Sequence, residues 1–199
     1  MQYNIYITGV GGQGVVKTSI VIGYACIKKG LNVVTSEIHG MSQRGGVVPV
    51  EVRIGEVNGP IIKSGGADLL LAFEPLEALR SLPKINRNTF AVVNTSEIIP
   101  FTSSLGLSQY AKSGAYIEEL KKFVDIVIPL DADGIAKRVG SPILSNMVIL
   151  GAGAASLHFP IEKEYIEDAI KEAFKPQFVA LNIKAFNEGY ALGRSMLKC

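Results

Sequence analysis

The fold of this chain is decided by residues 3–14, which read YNIYITGVGGQG. Residues 3–8 are rich in aromatic and β-branched side chains and predict a β-strand, and an apolar helix pattern begins at Val15. A strand, a glycine turn and a helix in this order leave backbone N–H groups unpaired at the helix start. With the positive end of the helix dipole, they predict an anion site that stabilises an exposed negative charge by about 0.3–1 kcal/mol.

The glycines of this turn have G-x-G-x-x-G spacing, with Gly9, Gly11 and Gly14 at the three glycine positions. One interpretation is a phosphate cradle for a nucleotide, a flavin or coenzyme A, to which Gly12 and Gln13 also belong. The other is a tight strand-to-helix turn that needs glycine for close packing. The turn is not a P-loop, because position 16 carries valine where that motif requires glycine. The two interpretations both stay open.

Composition narrows the class of protein. The chain has 199 residues and predicts a single domain over residues 1–199. A net charge of +2 is too weak to indicate nucleic acid or a membrane surface as a partner. Hydrophobic residues make up 48% and charged residues 19%, below the usual level of about 25%, so part of the surface is expected to face a partner protein.

Neither of the two cysteines, Cys26 and Cys199, belongs to a C-x-x-C motif. The chain therefore offers no cysteine ligand set for zinc or an iron–sulfur cluster, and no metal site is predicted. The N-terminus lacks a basic and apolar leader pattern, and no apolar run reaches the roughly 18–20 residues that span a bilayer. A reducing, cytoplasmic location is expected.

Hydrophobic periodicity predicts an α/β fold, a Rossmann-like three-layer sandwich with a mostly parallel sheet. The first helix, over 15–29, ends at Gly30, and a second strand over 31–35 is expected to pair in parallel with the first. Residues 47–62 predict an antiparallel excursion, with a strand over 47–54, a turn and a short return strand at 61–62. Pro49 places the longer strand at a sheet edge or at a bulge.

The rest of the chain predicts alternating elements and C-terminal helices. The segment over 143–157 is apolar on nearly every face, so it is expected to be buried or packed against a partner. Residues 95–112 predict a surface loop. Further strands are predicted over 68–73, 89–94 and 125–129, and further helices over 75–82, 116–123, 161–174 and 178–197, with a short helix to Val139 capped by Asp131 or Asp133.

The loop over 36–46 reads SEIHGMSQRGG and has the length and composition of a functional loop. Glu37, His39 and Arg44 could serve as acid, base and anion clamp, since arginine grips a carboxylate or phosphate with two parallel hydrogen bonds. The alternative, which we favour, is a structural Glu37–Arg44 pair that holds a subunit contact. Glu37 also lies near the distance at which a dinucleotide-binding βαβ unit carries its acidic residue, but at the head of a loop.

Four segments together resemble a known family: residues 9–15, residues 36–46, residues 67–70 followed by Glu74-Pro75, and residues 146–147 followed by 150–151. They look like the gamma-type subunit or domain of 2-oxoacid:ferredoxin oxidoreductases. The form HGMSQRGG at 39–46 is most similar to the small (beta) subunit of indolepyruvate:ferredoxin oxidoreductases.

This resemblance implies a subunit that is inactive alone. The holoenzyme would oxidatively decarboxylate arylpyruvates to acyl-coenzyme A and reduce ferredoxin, with thiamine diphosphate and [4Fe–4S] clusters on a large partner subunit. No residue is assigned as catalytic. The rival hypothesis is a free-standing nucleotide- or flavin-binding module. The residues expected to line an anion or the interface are Gly9, Gly11, Gly12, Gln13 and Gly14, and those expected to face the partner or active site are Glu37, His39, Met41, Arg44, Gly45, Gly46 and Asn146.

Overall fold

The computed structural model of the protein describes residues 2–38, 46–99 and 110–197. A six-stranded sheet forms its centre, and the predicted α/β fold is confirmed. The strands are β1 (Gln2–Thr8), β2 (Val33–Glu37), β3 (Val50–Gly55), β4 (Leu69–Ala72), β5 (Phe90–Asn94) and β6 (Ile126–Leu130). Their order across the sheet is β2-β3-β1-β4-β5-β6, and β1, β4, β5 and β6 pair in parallel.

Helices cover both faces of this sheet. Ile5 and Ile7 of β1 face the larger apolar core, whereas Tyr6 faces the smaller one. The helices are α1 (Val15–Lys29), α2 (Pro75–Arg80), α3 (Ser113–Leu120), α4 (Ala132–Val139), α5 (Ser145–Ala154), α6 (Lys163–Ala173) and α7 (Pro176–Met196), with a 3-10 turn at Pro142–Leu144. Helices α1, α5, α6 and α7 pack on the larger core, and α2 and α3 on the smaller one, which gives three layers.

The antiparallel excursion is present, but its strand lies inside the sheet. Strand β3 pairs antiparallel with both β1 and β2, so the predicted direct pairing of the first two strands is wrong. Pro49 precedes β3, and its missing N–H is therefore not needed in the ladder; the predicted edge position is wrong as well. On this side of the sheet the edge strand is β2, whose residues are partly buried or exposed. Residues 61–62 form no strand, because the Ile62 N–H donates to the buried Glu51 carboxylate.

Several local predictions are confirmed with shifted boundaries. Gly30 ends α1 with a φ of 76°, and the Asp131 carboxylate accepts the Gly134 N–H at 2.8 Å as an N-cap. The second strand begins at Val33 rather than at residue 31. The apolar helix is shorter than 143–157, since it opens with the 3-10 turn, but all residues from Asn146 to Ala154 are buried as predicted.

Helices α5 and α7 cross with their backbones in contact. A Cβ placed on Gly151 would lie 2.0 Å from the Phe186 carbonyl oxygen, and one on Gly189 would lie 2.0 Å from the Val148 carbonyl oxygen. No side chain fits at either point, so glycine is required for this approach. The crossing fixes how the start of α7 stands relative to the start of α5, and these two helix starts form one wall of the candidate site.

Candidate functional site

The candidate site lies where chain connections leave the sheet in opposite directions. After β1 the chain enters α1, on the larger core, whereas after the adjacent β4 it enters α2, on the smaller core. Ligands of open α/β sheets bind at such a switch point, outside the carboxyl ends of the strands. In this protein the switch point brings the glycine turn at 9–14 next to Phe73.

Gln13 joins the two strand ends. Its Oε1 accepts the Val10 N–H at 2.7 Å, and its Nε2 donates to the Phe73 carbonyl oxygen at 2.9 Å. The Gln13 backbone N–H closes the same turn by donating to the Val10 carbonyl oxygen at 3.1 Å. Both ends of the side-chain amide are therefore engaged inside the chain, and Gln13 contributes shape and rigidity to the turn.

The first half of the glycine turn serves close packing. A Cβ on Gly9 would lie 2.8 Å from both Gln13 Oε1 and Phe73 Cβ. The Gly11 N–H donates to the Gly46 carbonyl oxygen at 2.9 Å, and the Val48 N–H donates to the Gly9 carbonyl oxygen at 2.9 Å. The end of the loop over 36–46 is thereby fixed to the glycine turn.

The second half of the turn is open. Gly12 and Gly14 have φ values of 104° and 84°, which favour glycine, and no atom of the described residues would meet a Cβ on Gly12 within 4 Å. Gly14 is the N-cap of α1 but supplies no side-chain cap, and the first helical turn contains no acidic residue. The N–H groups of that turn have no acceptor within the helix, so this helix start favours a negatively charged ligand.

A pocket of about 490 Å³ opens in front of this helix start. Asn146 lies on its wall and is only 5% exposed. Asn146 Oδ1 accepts the Met147 N–H at 2.9 Å, whereas Nδ2 has no acceptor in the described part of the chain. A Cβ on Gly14 would lie 2.7 Å from this Nδ2. An amide donor on a largely buried side chain thus stands beside the open helix start, where an anion would complete its hydrogen bonding.

Two further polar side chains line the pocket. The Lys17 ammonium donates to the Ala173 carbonyl oxygen at 2.9 Å and lies 5.0 Å from the centre of the Phe174 ring, with further donors left for a ligand. Asn182 is buried, and its Nδ2 donates to the Phe178 carbonyl oxygen at 2.8 Å. The rest of the lining is mainly apolar and comprises Ile98, Pro142, Ile143, Leu144, Phe174 and Phe178, with Asp133 and Ser145 as polar members.

A second polar cluster follows β4. The Tyr110 hydroxyl donates to the Glu74 carboxylate, whose other oxygen accepts the Glu77 N–H at 3.0 Å. Glu77 Oε1 accepts from Arg80 at 2.6 Å, but the buried Oε2 has no hydrogen-bond partner among the described residues. Burial raises the pKa of Glu77 above its ordinary value, against the opposing effect of Arg80. Burial and the Glu74 carboxylate likewise raise the pKa of Tyr110.

The loop residues are only partly described. Glu37 ends β2 on an exposed edge and stands opposite Val50 in the ladder. His39, Met41, Arg44 and Gly45 lie outside the described residues, as does the expected Glu37–Arg44 pair. Among the predicted residues, Gly12, Gln13, Gly14 and Asn146 share one pocket, and Gly46 is hydrogen-bonded to the same turn.

Sequence reasoning missed the part of the pocket that α7 supplies. Asn182 is a polar residue in the buried stripe of an amphipathic helix, whose other buried residues include Ala185 and Phe186. A polar residue in such a stripe is a usable signal, because a buried amide needs partners. Phe178 carried no signal of this kind, since an apolar side chain on an amphipathic helix is ordinary.

The described residues provide neither a metal site nor an exposed thiol. They contain no group of three or more histidine, cysteine, aspartate or glutamate side chains arranged to hold a metal ion. Cys26 is a buried core residue, and burial raises the pKa of its thiol to about 12. No helix in these ranges is both long and apolar enough to span a membrane.

Comparison with known proteins places this chain in a class of oxidoreductase subunits. The family described as Pyruvate ferredoxin/flavodoxin oxidoreductase matches residues 4–192, and the chain belongs to this family. It is 46% identical over 190 residues to "Indolepyruvate oxidoreductase subunit IorB" of Methanothermobacter thermautotrophicus, covering 96% of this chain and 97% of that protein. The protein of the same name from Archaeoglobus fulgidus is 45% identical, with 96% and 94% covered.

Solved structures agree with the fold. The gamma subunit of a keto/oxoacid ferredoxin oxidoreductase from Geobacter sulfurreducens matches with a TM-score of 0.74 and 25% identity, over 98% of both chains. A 2-oxoglutarate:ferredoxin oxidoreductase from Magnetococcus marinus, solved with 2-oxoglutarate, coenzyme A and succinyl-CoA bound, matches with a TM-score of 0.75 and 23% identity. That match covers 98% of this chain but 31% of the other, so there the same fold is part of a longer polypeptide.

Proposed function

We propose that this chain is the small subunit of an indolepyruvate:ferredoxin oxidoreductase, which oxidatively decarboxylates aryl 2-oxoacids to acyl-coenzyme A and reduces ferredoxin. The observation that carries this proposal is the identity of 45–46% over nearly the full length to proteins named as subunits of indolepyruvate oxidoreductase. Identity to 2-oxoglutarate synthase subunits is only 26–29%. The difference favours an aryl 2-oxoacid over 2-oxoglutarate as the substrate of the assembly.

In this proposal the work is divided between two subunits in the cytoplasm. Thiamine diphosphate and the [4Fe–4S] clusters belong to a large partner subunit, which also passes electrons to ferredoxin. The present chain closes the active site and keeps water from the reacting carbon until the thiol arrives. The donor set described above suits this role, because it binds a substrate and contributes no redox group.

We assign the pocket to the phosphate groups of coenzyme A. The open N–H groups at the start of α1, the Asn146 Nδ2 and the Lys17 ammonium are donors suited to anionic oxygens. The apolar wall that includes Phe174 and Phe178 suits the less polar arm that carries the thiol. In this role the chain binds and orients the thiol substrate, and the reacting groups come from the partner.

The loop over 36–46 is proposed to face the partner or the active site. Glu37, His39, Met41, Arg44 and Gly45 would lie there, in agreement with the composition of the loop. Gly46 supports the assignment, because its carbonyl oxygen is hydrogen-bonded to Gly11 in the glycine turn. A loop that ends at the glycine turn, next to the pocket, is suitably placed to reach a subunit that closes the pocket.

Reconstitution tests the proposal. The chain and its large partner are expressed together and separately, and indolepyruvate- and coenzyme A-dependent reduction of a viologen dye is measured without oxygen. We expect activity from the complex, none from either subunit alone, and a preference for arylpyruvates over 2-oxoglutarate and pyruvate. Full activity of the isolated chain, or a complex that prefers 2-oxoglutarate, would contradict the proposal.

A free-standing nucleotide- or flavin-binding module is the second candidate, favoured by the uncapped start of α1 beside a pocket. Calorimetry of the isolated chain with NAD, FAD and coenzyme A separates the two functions. Tight one-to-one binding of a dinucleotide by the isolated chain would favour the second candidate. Binding of coenzyme A alone, or binding only in the presence of the large subunit, favours the first.

A further inference from the structure

Asn182 presents an unpaired acceptor to the pocket. The residue is only 3% exposed and lines the pocket from the second turn of α7. Its Nδ2 donates to the Phe178 carbonyl oxygen at 2.8 Å. Because a carbonyl oxygen can only accept, this bond identifies the nitrogen of the amide and leaves Oδ1 as its other end. Oδ1 has no donor among the described residues, and an amide oxygen on a largely buried side chain favours a ligand that supplies one.

The Asn182 Oδ1 atom is open to the pocket. Two other unpaired side-chain oxygens in the described part of the chain, Glu77 Oε2 and Asn187 Oδ1, are fully enclosed by protein, whereas Asn182 Oδ1 keeps accessible surface. Since Asn182 lines the pocket, that surface faces the pocket. A bound ligand can therefore reach Asn182 Oδ1, but it cannot reach the two enclosed oxygens.

The other largely buried asparagine of the pocket has the opposite polarity. Asn146 Oδ1 accepts the Met147 N–H, which leaves Nδ2 as a donor beside the start of α1. Lys17 adds a further donor to this part of the pocket. A ligand that only accepts hydrogen bonds, such as inorganic phosphate, would pair with these donors and leave Asn182 Oδ1 unpaired. The complete ligand is therefore expected to carry both an anionic group and an N–H or O–H donor.

The helix crossing sets the spacing of these two groups. Its contacts show that α5 and α7 run in the same direction, since they join Gly151 with Phe186, Gly189 with Val148, and Gly193 with Ala152. In this register Asn182 lies about five residues further from the crossing than Asn146, or about 7 Å along the helix axes. A ligand that meets both side chains must therefore extend well beyond a single phosphate group.

We propose that Asn182 Oδ1 accepts an amide N–H from the thiol arm of coenzyme A, and that this hydrogen bond positions the arm. The inference rests on the proposed function and deepens it, because it names the residue that recognises the arm. The arm carries two amide groups on an aliphatic chain, and Phe174 and Phe178 line the same pocket. A thiol without amide groups would leave Oδ1 unpaired, so Asn182 discriminates against it.

Amide-to-ester analogues of coenzyme A test this contact in the complex with the large subunit. Each analogue replaces one amide N–H of the arm by oxygen, which removes a single donor and keeps the shape. Calorimetry gives the Kd of coenzyme A and of each analogue. In the wild type, one analogue should bind about 2- to 12-fold more weakly than coenzyme A, as expected for one uncharged hydrogen bond. Asn182→Leu should lose affinity for coenzyme A by a similar factor and should bind that analogue and coenzyme A equally.

Asn187→Leu is the matched control, because it is the same substitution on the same helix at a residue that does not line this pocket. It should keep the affinity and the discrimination of the wild type. Adenosine bisphosphate, which has the nucleotide end of the coenzyme without the arm, should bind equally to the wild type and to Asn182→Leu. Melting temperatures report the fold of each variant, and Asn182→Ala replaces Asn182→Leu if leucine prevents folding.

Each outcome decides one question. Equal affinity of the wild type for coenzyme A and both analogues would overturn the inference, as would the absence of coenzyme A binding. Discrimination that persists in Asn182→Leu would assign the amide contact to another residue and also overturn it. A loss of affinity for adenosine bisphosphate in Asn182→Leu would move Asn182 to the nucleotide end, with the same result. Amide discrimination through Asn182 in a complex without indolepyruvate activity would support the inference and contradict the proposed function alone.

Discussion

The side-chain amide of Gln13 donates a hydrogen bond to the carbonyl oxygen of Phe73 at 2.9 Å and accepts one from the Val10 N–H at 2.7 Å. One side chain thereby joins the ends of two parallel strands at the point where the chain connections diverge. The glycine turn keeps its shape through this bridge, which places the open start of α1 against the pocket.

Gln13→Leu should therefore destabilise the chain by about 1–3 kcal/mol, because it leaves the Phe73 carbonyl oxygen and the Val10 N–H without their partner. Urea unfolding of the isolated chain measures the change. Gln177→Leu, at an exposed position in the first turn of α7, is the control and should change stability by less than about 0.5 kcal/mol. Equal effects of the two substitutions on the free energy of unfolding would show that the Gln13 hydrogen bonds do not stabilise the chain.

Gly14→Ala should cost about 1–3 kcal/mol of stability, since alanine is strained at a φ of 84° and its Cβ would lie 2.7 Å from Asn146 Nδ2. Gly23→Ala, in the middle of α1 with no described atom within 4 Å of a new Cβ, is the control and should stabilise by about 0.5–1 kcal/mol.

A double-mutant cycle separates strain from crowding at this position. Gly14→Ala combined with Asn146→Ala should lose less stability than the sum of the single changes, because the second removes the crowded amide. Strict additivity would contradict the close approach of Asn146 to the start of α1.

Asn146→Ala should raise the KM for coenzyme A in the reconstituted complex by about 10- to 150-fold and change kcat little, because a hydrogen bond to a charged group contributes about 1.5–3 kcal/mol. Asn146→Asp should raise the KM further, since it replaces the donor by a negative charge while keeping an acceptor for the Met147 N–H. Asn88→Ala, on the wall of a separate pocket at the amino ends of β1 and β4, is the control. An unchanged KM in Asn146→Asp would contradict the anion site.

Glu77 should make stability depend on pH. Its pKa is raised mainly by burial, so the folded chain holds this proton more tightly than the unfolded chain. The contribution to the free energy of unfolding is therefore largest below the ordinary glutamate pKa of about 4.3, and it falls as pH rises through the raised pKa. In Glu77→Gln this dependence should disappear.

Urea unfolding between about pH 4 and pH 8 compares wild type with Glu77→Gln, and the wild type should lose stability relative to the variant as pH rises. Glu118→Gln serves as the control, because Glu118 is exposed and pairs only with Lys121 in the described structure. A stability difference that is the same at every pH would contradict the raised pKa of Glu77.

Local signals predicted most elements but not the order of the strands. Strand β4 and the end of α1 could be predicted from neighbouring residues alone. A strand buried on both faces is an uninterrupted apolar run, and a left-handed helix cap requires a glycine such as Gly30. The position of β3 between β2 and β1 could not be predicted from the sequence. It depends on pairing Tyr3 with Ile54 and Val33 with Ile54, and nothing in a single sequence window records which partner a strand selects.

The same distinction applies to the site. The glycine turn is a local feature, and its open helix start followed from the order of strand, turn and helix. Asn182 enters the pocket only because α7 crosses α5, which brings it to the same pocket as Gly14. A contact between residues so far apart in the chain becomes visible only in three dimensions.

The glycine crossing of α5 and α7 has a consequence for ligand entry. Gly151 and Gly189 bring the two backbones together without intervening side chains, so neither helix can slide or rotate past the other. Asn146, at the start of α5, and Asn182, near the start of α7, therefore keep a fixed position relative to each other. Any widening of the pocket to admit a bulky substrate must come from movement of the glycine turn or of the whole subunit.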